Sequence, residues 1–384
     1  MKKIMFGFIC LFMLISFVYA EDENNSELAK EAKSAIMIEA STGSVIYEKN
    51  SHEELPMASM TKIMTMLIIM ENIDNGKLKL TDEVTASEHA SSMGGSQIFL
   101  EPGEKMTVEE MLKGIAIGSG NDAAVAMAEK IGGTEEGFVK MMNDKAVELG
   151  LKNTHFDNAC GLDSDNHYSS SYDMAMISKE LVKHKKILEY TGTYEDYLRK
   201  DSNNSFWLVN TNKLVRFYQG VDGLKTGFTN KAGYCITTTA MKDGMRLITV
   251  VMGEPSSSVR NSETTSMLDY GFNLYKVNRL ISTDTVINKA LVEFGKEEIV
   301  NIVPVTDINV LSLKSDSDIK PKYKYNLKSI KAPVKVGDIV GNVDIYENDT
   351  KVNSVELTVE EDIDKVNIFI AILREFRDIV LGDL

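Results

Sequence analysis

The chain has 384 residues, enough for two domains, and 57 acidic against 42 basic side chains give it a formal charge of −15. Such an excess of acid repels phosphate backbones and argues against a nucleic-acid partner. Three cysteines make no disulfide framework, so stability has to come from packed cores. At the start, Lys2 and Lys3 precede an apolar run from Ile4 to Val18, and Val18-Tyr19-Ala20 offers a signal-peptidase site. Residues 1–20 therefore read as an export leader. Cys10 lacks the small residue ahead of it that a lipoprotein signal carries, and cleavage after Ala20 leaves Cys160 and Cys235. Residues 21–33 are polar and acidic, a flexible lead-in.

Next, Ser34-Ala-Ile-Met-Ile-Glu-Ala40 and Ser44-Val-Ile-Tyr-Glu48 flank a Gly-containing turn and read as a hairpin. Pro56 marks where a helix can begin, and the run Ile63, Met64, Met66, Leu67, Ile68, Ile69, Met70 makes that helix a buried one. Thr107-Val-Glu-Glu110 is a capping box that opens a helix through Met111, Leu112 and Ile115. Asn121-Asp122 ends it, and another helix starts at Ala123. Strands return at residues 221–227, 234–240 and 245–252, the last two joined by Asp243-Gly244, a strong hairpin signal. A closing helix follows over residues 266–275. Strands at both ends with helices between them predict a mixed antiparallel sheet with a helical region, the N-terminal hairpin pairing with the late strands. From residue 276 to 361, runs such as Ile299–Val303, Ile308–Leu313, Val343–Tyr346 and Val355–Val359 alternate with Gly, Asn and Asp turns, as in a small β-sandwich. Residues 363–384 form an amphipathic helix. Asn367, Arg374, Glu375, Arg377 and Asp378 gather on one side, away from Phe369, Ile370, Ile372, Leu373, Phe376 and Val380. No stretch beyond the leader is long and apolar enough to span a bilayer.

Chemistry concentrates in three short motifs. Ser59 and Lys62 are three apart at the mouth of the greasy helix, so the lysine amine can reach the serine hydroxyl. Taken singly, Ser59 could be a cap and Lys62 a snorkelling lysine. Ser119-Gly-Asn121 follows at a junction between helices, and Lys225-Thr-Gly227 lies on a strand. Together, in this order, they resemble the S-x-x-K, S-D-N and K-T-G set of penicillin-binding proteins and class A β-lactamases, with Gly120 in place of the Asp, a departure usual for the carboxypeptidases among them and one that counts against a lactamase. With the longer stretches Gly118-Ser-Gly-Asn-Asp122, His167-Tyr-Ser169, Asn210-Thr-Asn-Lys-Leu214 and Gly220-Val-Asp-Gly-Leu-Lys-Thr-Gly-Phe-Thr229, the chain resembles the low-molecular-mass penicillin-binding proteins that act as serine-type D-alanyl-D-alanine carboxypeptidases. The match covers roughly residues 30–275, and the β-rich module with its tail helix fits the family's layout.

The resemblance implies a catalytic domain over residues 34–275, of the serine β-lactamase/transpeptidase-like α/β class, followed by the all-β domain. It implies Ser59 as nucleophile, Lys62 as its base and Ser119 as a proton carrier to the leaving amine. Asn121 would hold the substrate amide, and Lys225 and Thr226 the substrate's terminal carboxylate, with the peptide added as a strand along the sheet edge. Gly227 lets the ligand approach, and the backbone N–H groups of Ser59 and Phe228 form the oxyanion hole. Lys62 can serve as a base only if burial and a second cation, Lys225, lower its pKa. Substrates would be peptidoglycan stem peptides ending in D-Ala-D-Ala, with β-lactam antibiotics as covalent inhibitors and the tail helix lying on a membrane surface. No metal or cofactor is expected: Cys160, His155 and His167 lack a fourth ligand, and the histidines read as cap or loop residues. A class A β-lactamase would need a deacylating glutamate. The nearest candidate, Glu195, stands in Glu195-Asp-Tyr-Leu-Arg199, which ends in Arg and lies too far after Ser119. A non-catalytic wall-binding protein would be expected to have lost Ser59 or Lys62.

Overall fold

The computed structural model describes residues 28–200, 202–316, 320–347 and 349–381, with side chains of the last helix as far as Arg374. The leader and most of the lead-in lie outside the described residues. The end of the lead-in is not free, as the sequence suggested. Ala29 and Ala32 are buried, Lys33 N–H donates to the Met252 carbonyl, and the Lys49 ammonium donates to the carbonyls of Ala29 and Lys30.

Strands β1 (Ser34–Glu39), β2 (Val45–Lys49), β3 (Val221–Thr229), β4 (Gly233–Lys242) and β5 (Met245–Glu254) form one sheet in the order β2-β1-β5-β4-β3. Each pairing is antiparallel, and the N-terminal hairpin closes on the late strands through β1 and β5, with Ile36 opposite Val250. Asp243 and Gly244 both have positive φ, 49° and 79°, as a two-residue hairpin turn with the right twist requires. Strand β1 is buried along its whole length because both faces of the sheet are covered. Its alternation sends Ile36 and Ile38 toward the helical region and Ala35 and Met37 toward the opposite layer.

The helical layer holds α1 (Lys62–Asp74), α2 (Val108–Ala116), α3 (Asn121–Gly132), α4 (Glu135–Glu148) and α5 (Ser171–Leu181). Thr107 and Glu110 make both bonds of the capping box ahead of α2. Helix α1 is buried from Lys62 to Met70, as expected for a helix apolar on all sides. On the other face of the sheet lies α6 (Ser257–Leu274), packed through Met267, Leu268 and Phe272. It begins nine residues before the predicted start, because Ser256 caps it by accepting from the Val259 N–H while its polar first turns carry little apolar pattern.

Strands β6 (Tyr275–Ile281), β7 (Asn288–Glu293), β8 (Ile299–Pro304), β9 (Ile308–Leu313), β10 (Lys322–Leu327), β11 (Ile330–Lys331), β12 (Gly341–Glu347) and β13 (Thr350–Val359) follow. They form a six-stranded sheet, β10-β12-β13-β8-β7-β11, and the pair β6-β9, around a core that includes Val300, Ile302, Val343, Ile345 and Leu357. The four runs predicted as strands all fall on strands. Helix α7 (Ile368–Leu381) comes last. Its Ala371 is turned inward, and Arg374 donates to the carbonyls of Gly295 and Lys296 and pairs with Glu298 at 2.9 Å. Ile368, Phe369, Ile370, Ile372 and Leu373 are exposed.

Candidate active site

The site begins where the chain enters α1. After Pro56 a single 3-10 turn, Ala58–Thr61, carries Ser59, and the α-helix proper starts at Lys62. The tight turn eclipses residues three apart, which brings the Lys62 ammonium to 3.1 Å from the Ser59 hydroxyl. Ala58, just before the serine, is held at φ 48°, a left-handed conformation costly for a residue with a Cβ and typical of strained functional turns. Gly161 and Gly227 crowd this turn. A Cβ on Gly161 would lie 2.0 Å from the Ala58 carbonyl oxygen, and one on Gly227 2.8 Å from that of Met57.

Lys62 is fully buried, a position a lysine occupies only when it is hydrogen-bonded. Its nitrogen donates to Asn121 Oδ1 and to the Cys160 carbonyl, each at 2.6 Å. Burial lowers its pKa from 10.5 to about 8, against smaller opposing effects of Cys160 and Asp122. The seven apolar side chains between Ile63 and Met70 that make this burial possible contribute roughly 10–20 kcal/mol at about 1.5–3 kcal/mol each, which readily absorbs the cost of one desolvated amine. Lys225 is buried as well and donates to the Thr226 carbonyl at 3.0 Å. Its pKa is held well below the ordinary lysine value by burial and then by repulsion from Lys62 and Arg260. Both buried amines thus have lowered pKa values, by burial first.

Asn121 opens α3 but does not cap it. Its Nδ2 donates to the Gly94 carbonyl at 2.6 Å, which fixes the amide so that Oδ1 faces Lys62. Ser119 is buried at φ 63° in the junction between α2 and α3. Asp122, also buried, accepts from the N–H groups of Ile98 and Leu100 and so pins the loop that supplies Gly94. Thr226 lies on β3, an edge strand that packs against the Ser59 turn, and its hydroxyl donates to that of Thr211 at 2.8 Å. Gly227 and Phe228 follow, and the half-exposed Phe228 ring stacks on Tyr234 with centroids 4.3 Å apart. Ser59, Lys62 and Asn121 are thus joined by hydrogen bonds, and Lys225 lies within repulsive reach of Lys62.

Sequence reasoning did not single out the Cys160 carbonyl, Asp122 or Thr211. Two of them had a signal: Thr211 through its place in Asn210-Thr-Asn212, and Asp122 through its place in Gly118-Ser-Gly-Asn-Asp122. His167 lies in a loop, as expected, but it is buried there and bonded to Thr61 at 2.7 Å. Glu195 is exposed on a short strand, Glu195–Leu198, unlike a carboxylate that would activate a water beside the nucleophile.

Known proteins match this chain over most of its length. The profile described as D-alanyl-D-alanine carboxypeptidase matches residues 21–256, and that of the penicillin-binding protein 5 C-terminal domain matches residues 275–365. The chain is 48% identical to the D-alanyl-D-alanine carboxypeptidase DacF of Bacillus subtilis, over 98% of this chain and 99% of that protein. Penicillin-binding protein 5 from Haemophilus influenzae has a similar structure, with a TM-score of 0.70 at 30% identity, covering 87% of this chain and 98% of the other. Penicillin-binding protein D2 of Listeria monocytogenes, determined in an ampicillin-bound form, aligns with a TM-score of 0.57 at 30% identity over 63% of this chain and 98% of its own. By profile and by relatives, this chain belongs to the D-alanyl-D-alanine carboxypeptidase family.

Proposed function

We propose that Ser59 carries this carboxypeptidase's reaction and that residues 34–275 are its catalytic domain. Ser59 attacks the carbonyl between the two terminal D-alanines of a peptidoglycan pentapeptide stem, while neutral Lys62 takes the hydroxyl proton. The backbone N–H groups of Ser59 and Phe228 stabilise the oxyanion. The C–N bond then breaks, the proton passes through Ser119 to the leaving D-alanine amine, and an acyl-Ser59 remains for water to hydrolyse. Asn121 holds Lys62 and the substrate amide. Lys225 and Thr226 receive the terminal carboxylate of a peptide laid along β3, and the missing side chain of Gly227 makes room for the Ser59 turn rather than for the peptide. A β-lactam presents a similar carbonyl and carboxylate and acylates the same serine. One observation carries this reading: the buried Lys62 amine, its pKa lowered to about 8 by burial, is bonded at 3.1 Å to the Ser59 hydroxyl. Ser59→Ala should abolish D-alanine release from a D-Ala-D-Ala peptide while the protein stays folded. Undiminished release would overturn the assignment.

Residues 276–361 form the second domain in this reading, which the separate core around Ile302 and Val343 supports. Residues 363–384 hold the exported enzyme at the outer face of the cytoplasmic membrane. Among the described residues no helix is long and apolar enough to cross a bilayer, and the 14 residues of α7 reach only about 21 Å, so the helix would lie in the interface. Arg374 and Ala371 face the β-domain, so the apolar residues from Ile368 to Leu373 point outward. Truncation after Glu361 should release the protein from the membrane pellet without changing hydrolysis of a soluble peptide. A truncated protein that stays in the pellet would refute the anchor.

A further inference from the structure

Behind the Ser59 turn lies a buried hydrogen-bond relay that the proposed reaction does not use. The Asp157 backbone N–H donates to His167 Nδ1 at 3.0 Å, so that nitrogen carries no proton. His167 is buried, and burial lowers its pKa to about 4, so the ring is neutral at neutral pH. Its proton therefore sits on Nε2 and is donated to Thr61 Oγ1 at 2.7 Å. Thr61 then has its own hydroxyl proton free, and donates it to the Ala58 carbonyl oxygen at 2.8 Å. That oxygen belongs to the same peptide unit as the Ser59 N–H, and in a trans peptide the two groups point in opposite directions. In the first turn the Ser59 N–H has no intrahelical acceptor and is available to a ligand.

We propose that His167 and Thr61 are positioning residues which aim the Ser59 N–H into the oxyanion site by fixing the Ala58 carbonyl on the opposite side of the peptide. Ala58 is held at φ 48°, so the turn needs an external restraint, and the relay provides it. Each link has one permitted direction of donation, set by the Asp157 N–H. The inference rests on Ser59 being the nucleophile.

Because the relay acts on the oxyanion donor, it should affect the transition state more than the bound substrate. Removing one such donor outright costs about 10²–10³ in rate, and misaiming it should cost about 10–100-fold. The test uses the full chain with Thr61→Val, which keeps the shape and removes the hydroxyl, and Thr61→Ser, which restores it. In Thr61→Val, kcat for D-alanine release and the rate of acylation by penicillin should both fall by about 10–100-fold. KM should stay within about threefold, and affinity for a peptide boronic acid, whose tetrahedral adduct puts an oxygen in the hole, should fall by the same factor as kcat. Thr61→Ser should recover most of the loss. The midpoint of acylation near pH 8 should not move, because Lys62 is untouched; a shifted midpoint would mean a general disturbance of the site and would overturn the proposal. His167→Gln keeps a donor near the position of Nε2 and should outperform His167→Asn, which cannot reach Thr61. This pair decides the matter if Thr61→Val fails to fold. Equal activity of the two His167 variants, or unchanged kcat and boronate affinity in Thr61→Val, would overturn the proposal. Loss of activity in Ser59→Ala beside a fully active Thr61→Val would refute the relay and leave the nucleophile standing.

Discussion

The pH dependence of acylation follows from the state of one amine. At a pKa of about 8, Lys62 is neutral in roughly one molecule in eleven at pH 7; at its ordinary 10.5 it would be neutral in roughly one in three thousand. The buried site thus raises the supply of free base about 300-fold, equivalent to roughly 3 kcal/mol. Below the midpoint, each unit of pH should cost a factor of about ten in the acylation rate, and the rate should level off above pH 9. The assay is the rate of covalent labelling by a fluorescent penicillin between pH 6 and 9.5, at concentrations where labelling is first order. Lys62→Arg keeps the positive charge throughout this range, so its labelling should fall by about 10³ or more and lose the pH midpoint. A flat profile from pH 6 to 9, or near-normal labelling of Lys62→Arg, would refute the assignment of Lys62 as base.

Other outcomes follow from the same contacts. Asn121→Ala removes the 2.6 Å acceptor that favours the charged amine, so the acylation midpoint should move below 8 and the maximal rate should drop by about 10²; pH profiles read both. Gly161→Ala puts a methyl group against the Ala58 carbonyl at φ 94°, and should cost several kcal/mol in denaturant unfolding along with penicillin labelling. Stability should also report Lys62. Its folded pKa is depressed, so between about pH 8 and 10.5 the unfolded chain holds a proton that the folded one does not, and stability rises with pH. Relative to Lys62→Met, the wild type should gain about 1.4 kcal/mol per pH unit across that window, measured by urea unfolding at several pH values.

Much of the site could be read in the sequence because its key contact is local. Ser59 and Lys62 are three residues apart, and the apolar run behind them signals the burial that tunes the amine. The capping box at Thr107 and the turn at Asp243-Gly244 likewise act within a few residues. The contacts that escaped are long-range ones made through backbone atoms or by unremarkable side chains. The Cys160 carbonyl lies 98 residues from Lys62, and a carbonyl leaves no trace in residue type. His167 meets Thr61 across 106 residues, so burial could not be read from its polar neighbours. In the β-domain, strand β10 alternates Lys322, Lys324 and Asn326 with Tyr323, Tyr325 and Leu327, so its period of two was legible although no apolar run marks it.

The central claim is that Ser59 is acylated. Mass spectrometry of the protein after brief incubation with penicillin, followed by digestion, tests it most directly. The account predicts a mass increase equal to one intact penicillin, confined to the peptide that contains Ser59 and absent from Ser59→Ala. An adduct on any other peptide, or one that persists in Ser59→Ala, would contradict it.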